Sequence, residues 1–454
     1  MTKKTWTTVI IVLLVIAAAV AIYFLTKPAP KPEPTPAPVT DAPAEQPATD
    51  APAGGGGGAK TKVTIWHTFT EGQEEYLKMA VADYNASQDT AEVELLSQPY
   101  EGFTNTVNSA VVAGVGPDII FNYASEAAKY VDAGLLADLS QYIYDPEIGI
   151  EGFDASLKEG VMNGEVKAFS DGLIHYLPAY TTGPILFYNK TLYDELQIEV
   201  PKTWAEMEAA SKKILEAKGI PGLGFDNTIT DFLQMLIMET PGAGYIDVEN
   251  KAVLFDTPEV RAKVQWLVDA FKAGHFKARP ESGNYFSPDF NSGVLAGFVG
   301  SVAGYPYVTP DGFEFGMAPM PADTWFPSWN RGPIVFYYKD DARAEEAYKF
   351  VKYFISADVN AGWVEAVTAL APYSWTADVP AYKEYIARDT LASKALQALE
   401  ANLGKAGSLP AVTGAAQVRT AINDAVIKAA GGEMTADEAW TEAVTISNAA
   451  LKGE

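Results

Sequence analysis

The 454-residue chain is 48% hydrophobic, long and apolar enough to fold as more than one domain. Its formal net charge of -25 excludes nucleic acid, which selects basic surfaces, and disfavours an anionic membrane surface. There is no cysteine, hence no disulfide, thiolate metal site, cysteine nucleophile or lipid-bearing cysteine; the three histidines, His67, His175 and His275, lie far apart in sequence, so neither metal nor cofactor is expected.

Trp6 to Leu25 are 20 consecutive uncharged residues, with Lys3 and Lys4 before them and Lys27 after. That length spans a bilayer as a helix, and the early lysines favour a cytoplasmic N-terminus with the rest outside. Residues 1–27 read as an uncleaved membrane anchor. A cleaved signal peptide is the alternative, since Ala17-Ala18-Ala19 offers small residues, although Ile22 to Leu25 stay apolar beyond them. Residues 28–60 are rich in Pro, Ala and Thr and then hold five glycines, Gly54 to Gly58. Such a segment cannot bury a core and reads as a tether.

From Lys62 the pattern changes. Val63 to Thr68 predicts a strand, Glu71 to Ser87 an amphipathic helix, Glu92 to Leu96 a strand, Tyr100 to Ala113 a helix ended by Gly114 and Gly116, Pro117 to Tyr123 a strand, and Glu126 to Ala133 a helix stopped by Gly134. Strand and helix in alternation predict an α/β fold with a parallel sheet. Leu177 to Trp204 follows as an apolar strand, a helix start at Tyr188-Asn189-Lys190, and a Pro201-Lys202-Thr203-Trp204 turn whose threonine can cap the next helix. Helices are expected at about Trp204 to Lys218, Asp231 to Thr240 and Pro258 to Ala273, strands at Phe313 to Met320 and Pro333 to Tyr338, and mainly helix from Ala342 onward.

The segment Leu177 to Trp204 resembles the extracellular solute-binding proteins of sugar-type ABC importers, family 1, whose maltose- and glycerol-3-phosphate-binding members are similar to this chain. Further motifs match in the same order: Val63-Thr64-Ile65-Trp66-His67, Gly116-Pro117-Asp118-Ile119-Ile120, Phe290 to Ala296, Phe315-Gly316-Met317-Ala318-Pro319-Met320-Pro321, Glu345 to Phe354, and Ala369-Leu370-Ala371-Pro372. Each is weak alone; their shared order over roughly residues 60 to 450 carries the resemblance. It implies a two-lobed periplasmic-binding-protein fold of type II, a hinge between the lobes and a ligand between them. Lobe 1 would be residues 61–176 plus 330–358, and lobe 2 residues 177–329 plus 359–454.

In open α/β sheets ligands bind at the carboxyl ends of the strands. That rule selects Thr68 and Phe69, Tyr100, Asn122, Tyr123 and Ser125, and, in the crossing segment, Tyr180, Thr181 and Thr182. The resemblance adds Asn227, Asp231, Phe232, Ser301, Tyr305, Trp329, Arg331, Gly332, Tyr373 and Trp375. A pyranose has apolar faces that stack on aromatic rings and polar edges that need donors and acceptors. Tyr100, Phe232, Tyr305, Trp329, Tyr373 and Trp375 would supply the first; Thr182, Asn227, Asp231, Ser301 and Arg331 the second. The competing reading of each aromatic is core packing, most of all for Phe232; of Asp231, a helix cap; of Arg331, a partner for a structural carboxylate.

The resemblance implies capture of a mono- or oligosaccharide by lobe closure and delivery to ABC permease subunits served by a separate ATPase. It implies a monomer at the extracytoplasmic face of the membrane, with no catalytic step. Binding of glycerol-3-phosphate or a glycerophosphodiester is the alternative. Against it, Ile229 and Phe232 stand where that branch has tryptophans, Ala124 where it has an acid, and Ser408-Leu409-Pro410 where it has an arginine. Sensing for a membrane receptor would use the same lobes. An enzyme is the remaining rival, and neither a Gly-x-Ser-x-Gly elbow nor a phosphate-cradling glycine loop is present.

Overall fold

The computed structural model describes residues 60–454 except 101, 158–160, 227–228, 279–284, 322–323 and 409, and only the backbone of residues 162 and 163. The expected anchor and nearly all of the tether, residues 1–59, lie outside the described residues. Among the described residues no helix is long and apolar enough to cross a membrane.

The strands in chain order are β1 (Thr61–His67), β2 (Ala91–Ser97), β3 (Ile119–Tyr123), β4 (Tyr180–Thr182), β5 (Pro184–Asn189), β6 (Leu223–Phe225), β7 (Ile246–Asp247), β8 (Ala252–Val253), β9 (Phe276–Lys277), β10 (Gly297–Ser301), β11 (Phe315–Pro319), β12 (Phe326–Pro327), β13 (Trp329–Val335) and β14 (Ala406–Gly407). Ten of them make two five-stranded sheets, ordered β2-β1-β3-β13-β4 and β11-β5-β10-β6-β9. In the first, β1 runs parallel to β2 and β3, while β13 runs antiparallel to β3 and β4. In the second, β6 is parallel to β10 and β9, and β5 is antiparallel to β10 and β11.

This connectivity sets the geometry of the site. The carboxyl ends of β1, β3 and β4 and the amino end of β13 lie on one edge of the first sheet. The chain then passes from β4 through Gly183 directly into β5 of the second sheet. The sequence pattern predicted one apolar strand there. The division falls at Gly183, a residue whose Cβ would meet Leu399 Cδ1 at 2.7 Å and Phe326 Cε1 at 2.8 Å, so the close approach there requires glycine. The strand expected at Pro333 to Tyr338 is instead Trp329–Val335, because the ladder to β3 and β4 recruits the polar residues before the apolar run.

Helices cover both sheets. Glu71–Ser87 buries Leu77, Ala80, Val81 and Tyr84, spaced to form one face. Each large aliphatic side chain buried this way contributes roughly 1.5–3 kcal/mol. Between β1 and β3, buried Asp118 accepts from the Thr64 N–H at 2.7 Å and from Arg343 Nη2 at 2.8 Å, fixing strand register to the helix Asp341–Phe354. The helix Ala357–Ala366 sits on the first sheet's side, where the Tyr76 hydroxyl donates to the Val359 carbonyl at 2.7 Å and Trp363 packs on Phe69 and Phe121. β4, residues 180–182, is likewise a strand of the first sheet. The C-terminal hairpin of Ala415–Ala430 and Ala436–Lys452 packs on the second half through Trp440 against Phe255 and Arg261 with Asp437 at 2.6 Å.

Candidate functional site

Strand β13 organises the site. Side chains alternate along a strand, so Trp329 and Arg331 share one face while Asn330 and Gly332 share the other. Residues paired across a ladder lie on the same face. Trp329 pairs with Thr182, and Arg331 with Tyr180 on one side and Tyr123 on the other. One face at the sheet edge thus presents Trp329, Arg331, Tyr123, Tyr180 and Thr182. The opposite face is filled: the Thr181 hydroxyl donates to Asn330 Oδ1 at 2.6 Å, and a Cβ on Gly332 would stand 1.9 Å from the Leu177 carbonyl oxygen. Gly332 is therefore a packing glycine that lets β13 approach Leu177 and Pro178, a correction to its expected place in the ligand cleft.

Trp329 differs from every other described tryptophan. Trp363 and Trp440 are core residues, and Trp66, Trp204, Trp266, Trp325 and Trp375 pack against the core; Trp329, half-buried, does neither. Arg331 Nε donates to the Phe121 carbonyl at 3.0 Å, its Nη2 donates to Thr68 Oγ1 at 3.0 Å, and its guanidinium lies 4.7 Å from the Phe69 ring centre. Burial opposes the Arg331 charge, but the hydroxyls of Tyr180, Tyr123 and Tyr100 outweigh it and raise its pKa. Tyr123 is 36% exposed as a residue, yet its hydroxyl is enclosed; that enclosure raises its pKa, against the pull of the Arg331 charge.

Loops of the second sheet meet this face. The Thr182 and Ser301 hydroxyls are 3.0 Å apart, joining the end of β4 to the end of β10. The Thr70 and Tyr307 hydroxyls are also 3.0 Å apart, and the rings of Tyr100 and Tyr285 lie 6.0 Å apart. Tyr100 is 47% exposed. Ser301 also caps the turn after β10 by accepting from the Ala303 N–H at 3.1 Å, and half-buried Tyr305 follows it, 6.2 Å from Phe315.

Other expected site residues are placed elsewhere. Phe232 is buried between Trp204 and Phe225, at ring distances of 4.7 and 4.4 Å. Tyr373 is fully buried and stacked on Trp375 at 4.4 Å, and the Trp375 indole donates to the Ile355 carbonyl at 2.9 Å. Both aromatics go to packing because the apolar helices around them leave no open face, which corrects the expectation that they line the cleft. Asp231 pairs with Arg419 at 2.9 Å, with the Tyr123 hydroxyl in electrostatic reach of both. Asn227 lies outside the described residues.

Sequence reasoning passed over Asp226, Tyr285, Tyr307 and Arg419. Asp226 follows β6, so the strand-end rule could have found it. One of its oxygens accepts from the Phe286 N–H at 2.6 Å, and burial pushes its pKa up to about 7. It acts electrostatically on Tyr285. Tyr285 lies in a loop, Tyr307 ends the short 3-10 helix Val302–Tyr307, and Arg419 is on the helix Ala415–Ala430, where sequence gives no sign that they face the cleft.

An aromatic and hydroxyl-rich seam thus lies where the two α/β sheets meet. The chain belongs to the bacterial extracellular solute-binding protein family, which matches residues 79–392. The maltotriose-binding protein of Pyrococcus abyssi (strain GE5 / Orsay) is 24% identical over 308 residues, 64% of this chain and 62% of its own length. The sn-glycerol-3-phosphate-binding periplasmic protein UgpB of Rhizobium meliloti (strain 1021) is 23% identical over 427 residues, 87% of this chain and 94% of its own length. The crystal structure of the cyclic alpha-maltosyl-1,6-maltose binding protein from Arthrobacter globiformis superposes with a TM-score of 0.70 at 23% identity, covering 87% of this chain and 100% of that one. Its fold, mixed α/β and two-lobed, is the fold of this chain.

Proposed function

We propose that this protein captures a mono- or oligosaccharide between its two sheets and delivers it to the permease of an ABC importer. The observation that carries this reading is Trp329: a half-buried tryptophan outside the core formed by the described residues, beside Arg331 and opposite Thr182, offers an apolar plate edged with hydrogen-bonding groups. A sugar ring needs that combination. The binding set is Thr68, Tyr100, Tyr123, Thr182, Ser301, Tyr305, Trp329 and Arg331, with Asp226 and Tyr285 added from the second sheet. The binding of maltotriose by one relative supports a carbohydrate.

Capture works by closure of the lobes about the crossing at Gly183, and the transporter selects the closed form. The ligand leaves unchanged; the family is one of binding proteins, and we assign no catalytic step. The protein works as a monomer outside the cytoplasmic membrane, held by residues 1–27, with permease subunits and a separate ATPase as partners. Glycerol-3-phosphate is the second reading, favoured by the UgpB relative, which this chain matches over 94% of that protein's length.

A thermal-shift screen of the full chain against neutral sugars, glycerol-3-phosphate and glycerophosphodiesters tests the reading, because a ligand of the native state raises the melting temperature. A shift with sugars is expected. A shift with phosphate esters alone would replace the first reading by the second.

A further inference from the structure

The chain carries 58 acidic and 33 basic residues, so a cation inside it is surrounded by candidate partners. The described arginines bear this out with one exception. Arg261 pairs with Asp256 and Asp437, Arg343 with Asp118, Arg388 with Glu365 and Arg419 with Asp231. Arg331 has no carboxylate partner among the described residues, although it is half-buried at the edge of the first sheet. An enclosed charge without a counter-ion is costly, and such charges are usually paired.

The bonds that Arg331 does make are informative. Nε faces the Phe121 carbonyl and Nη2 faces Thr68, and the ring of Phe69 lies against the guanidinium plane. These contacts fix the group's orientation. The Tyr180 hydroxyl also hydrogen-bonds the group, and the Tyr180, Tyr123 and Tyr100 hydroxyls lie within reach of its charge. A guanidinium held in a fixed orientation with no carboxylate beside it among the described residues matches an incoming carboxylate, the anion its planar fork suits best.

We propose that the captured carbohydrate is acidic, a sugar of the uronic-acid class whose carboxylate pairs with Arg331. The proposal rests on the carbohydrate reading above and narrows it. A singly charged carboxylate fits this site better than a phosphate dianion. Arg419 is already paired with Asp231, so among the described arginines Arg331 is the one left to meet an anion, and it brings a single positive charge. His67, buried at the end of β1, has its pKa lowered by burial and adds no charge at neutral pH. The stacking of the sugar ring on Trp329 and the fork on its carboxylate then act together, since the two residues share one face of β13.

Calorimetric titration of the full chain with matched pairs, glucose against glucuronate, galactose against galacturonate, and neutral against uronate-containing disaccharides, tests this directly. The acidic member of at least one pair is expected to bind about tenfold or more tightly than its neutral partner. Arg331→Gln should abolish that preference and Arg331→Lys should keep part of it, with circular dichroism confirming that each is folded. The comparison on the unaltered chain stands even if a variant fails to fold. Neutral sugars binding as tightly as acidic ones would overturn this inference and leave the carbohydrate reading intact. Glycerol-3-phosphate binding without any sugar binding would overturn both.

Discussion

At the residue scale, the site is decided by which aromatics the core takes. Phe232 and Tyr373 are chemically as suited to a sugar as Trp329, but packing claims them and leaves Trp329. Trp329→Ala should therefore weaken ligand binding by about tenfold or more while the melting temperature of the unliganded protein hardly changes, measured by calorimetry and thermal unfolding. Glu165 is a second residue-scale test. Its carboxyl is buried beside Asn330, Ser408 and Tyr176, and burial pushes its pKa up to about 8 from an ordinary 4.5. Between those two values the folded state holds a proton that the unfolded chain has lost. Stability tied to this group is thus complete below pH 4.5 and is lost as pH rises to about 8. Glu165→Gln, which cannot ionise, should unfold at a higher temperature than the natural chain at pH 8, with the gap closing towards pH 4.5. A gap that stays constant with pH would show that Glu165 does not titrate in this window.

At the scale of elements, the β1–β3 unit was legible because strand and helix periods alternate without interruption. The helix Glu71–Ser87 has the bounds its apolar spacing predicts. What sequence could not show was the division at Gly183 and the early start of β13. Both are set by contacts distant in sequence, with Phe326 and Leu399 in one case and with Tyr123 and Thr182 in the other. The site suffered for the same reason: strand-end residues such as Thr68, Tyr123 and Thr182 followed from topology, while the burial of Tyr373 and the placing of Tyr285 and Tyr307 depend on packing between segments. Two element-scale outcomes follow. Gly332→Ala forces a methyl against the Leu177 carbonyl and should cost about 4 kcal/mol or more in unfolding free energy, among the largest effects of a single substitution. Thr435→Ala removes a reciprocal cap, in which Thr435 accepts from the Glu438 N–H and Glu438 accepts from the Thr435 N–H, and should cost about 1 kcal/mol by denaturant titration.

At the scale of the whole molecule, the chain passes from the first sheet to the second at Gly183 and back between β11 and β13, and we propose that these crossings serve as a hinge beside the ligand-binding residues. The Thr182–Ser301 and Thr70–Tyr307 contacts link residues on the first sheet's side to residues that follow β10 of the second. A ligand favours the closed form only by binding it better than the open one. Bridging Trp329 and Arg331 of one sheet with Asp226 and Tyr285 of the other would supply that difference. The most direct test is equilibrium dialysis of the full chain against labelled neutral and acidic oligosaccharides, followed by chemical analysis of the retained ligand. Saturable retention of one sugar class, recovered intact, is the predicted result. No saturable retention of any sugar, or recovery of a cleaved product, would contradict the account.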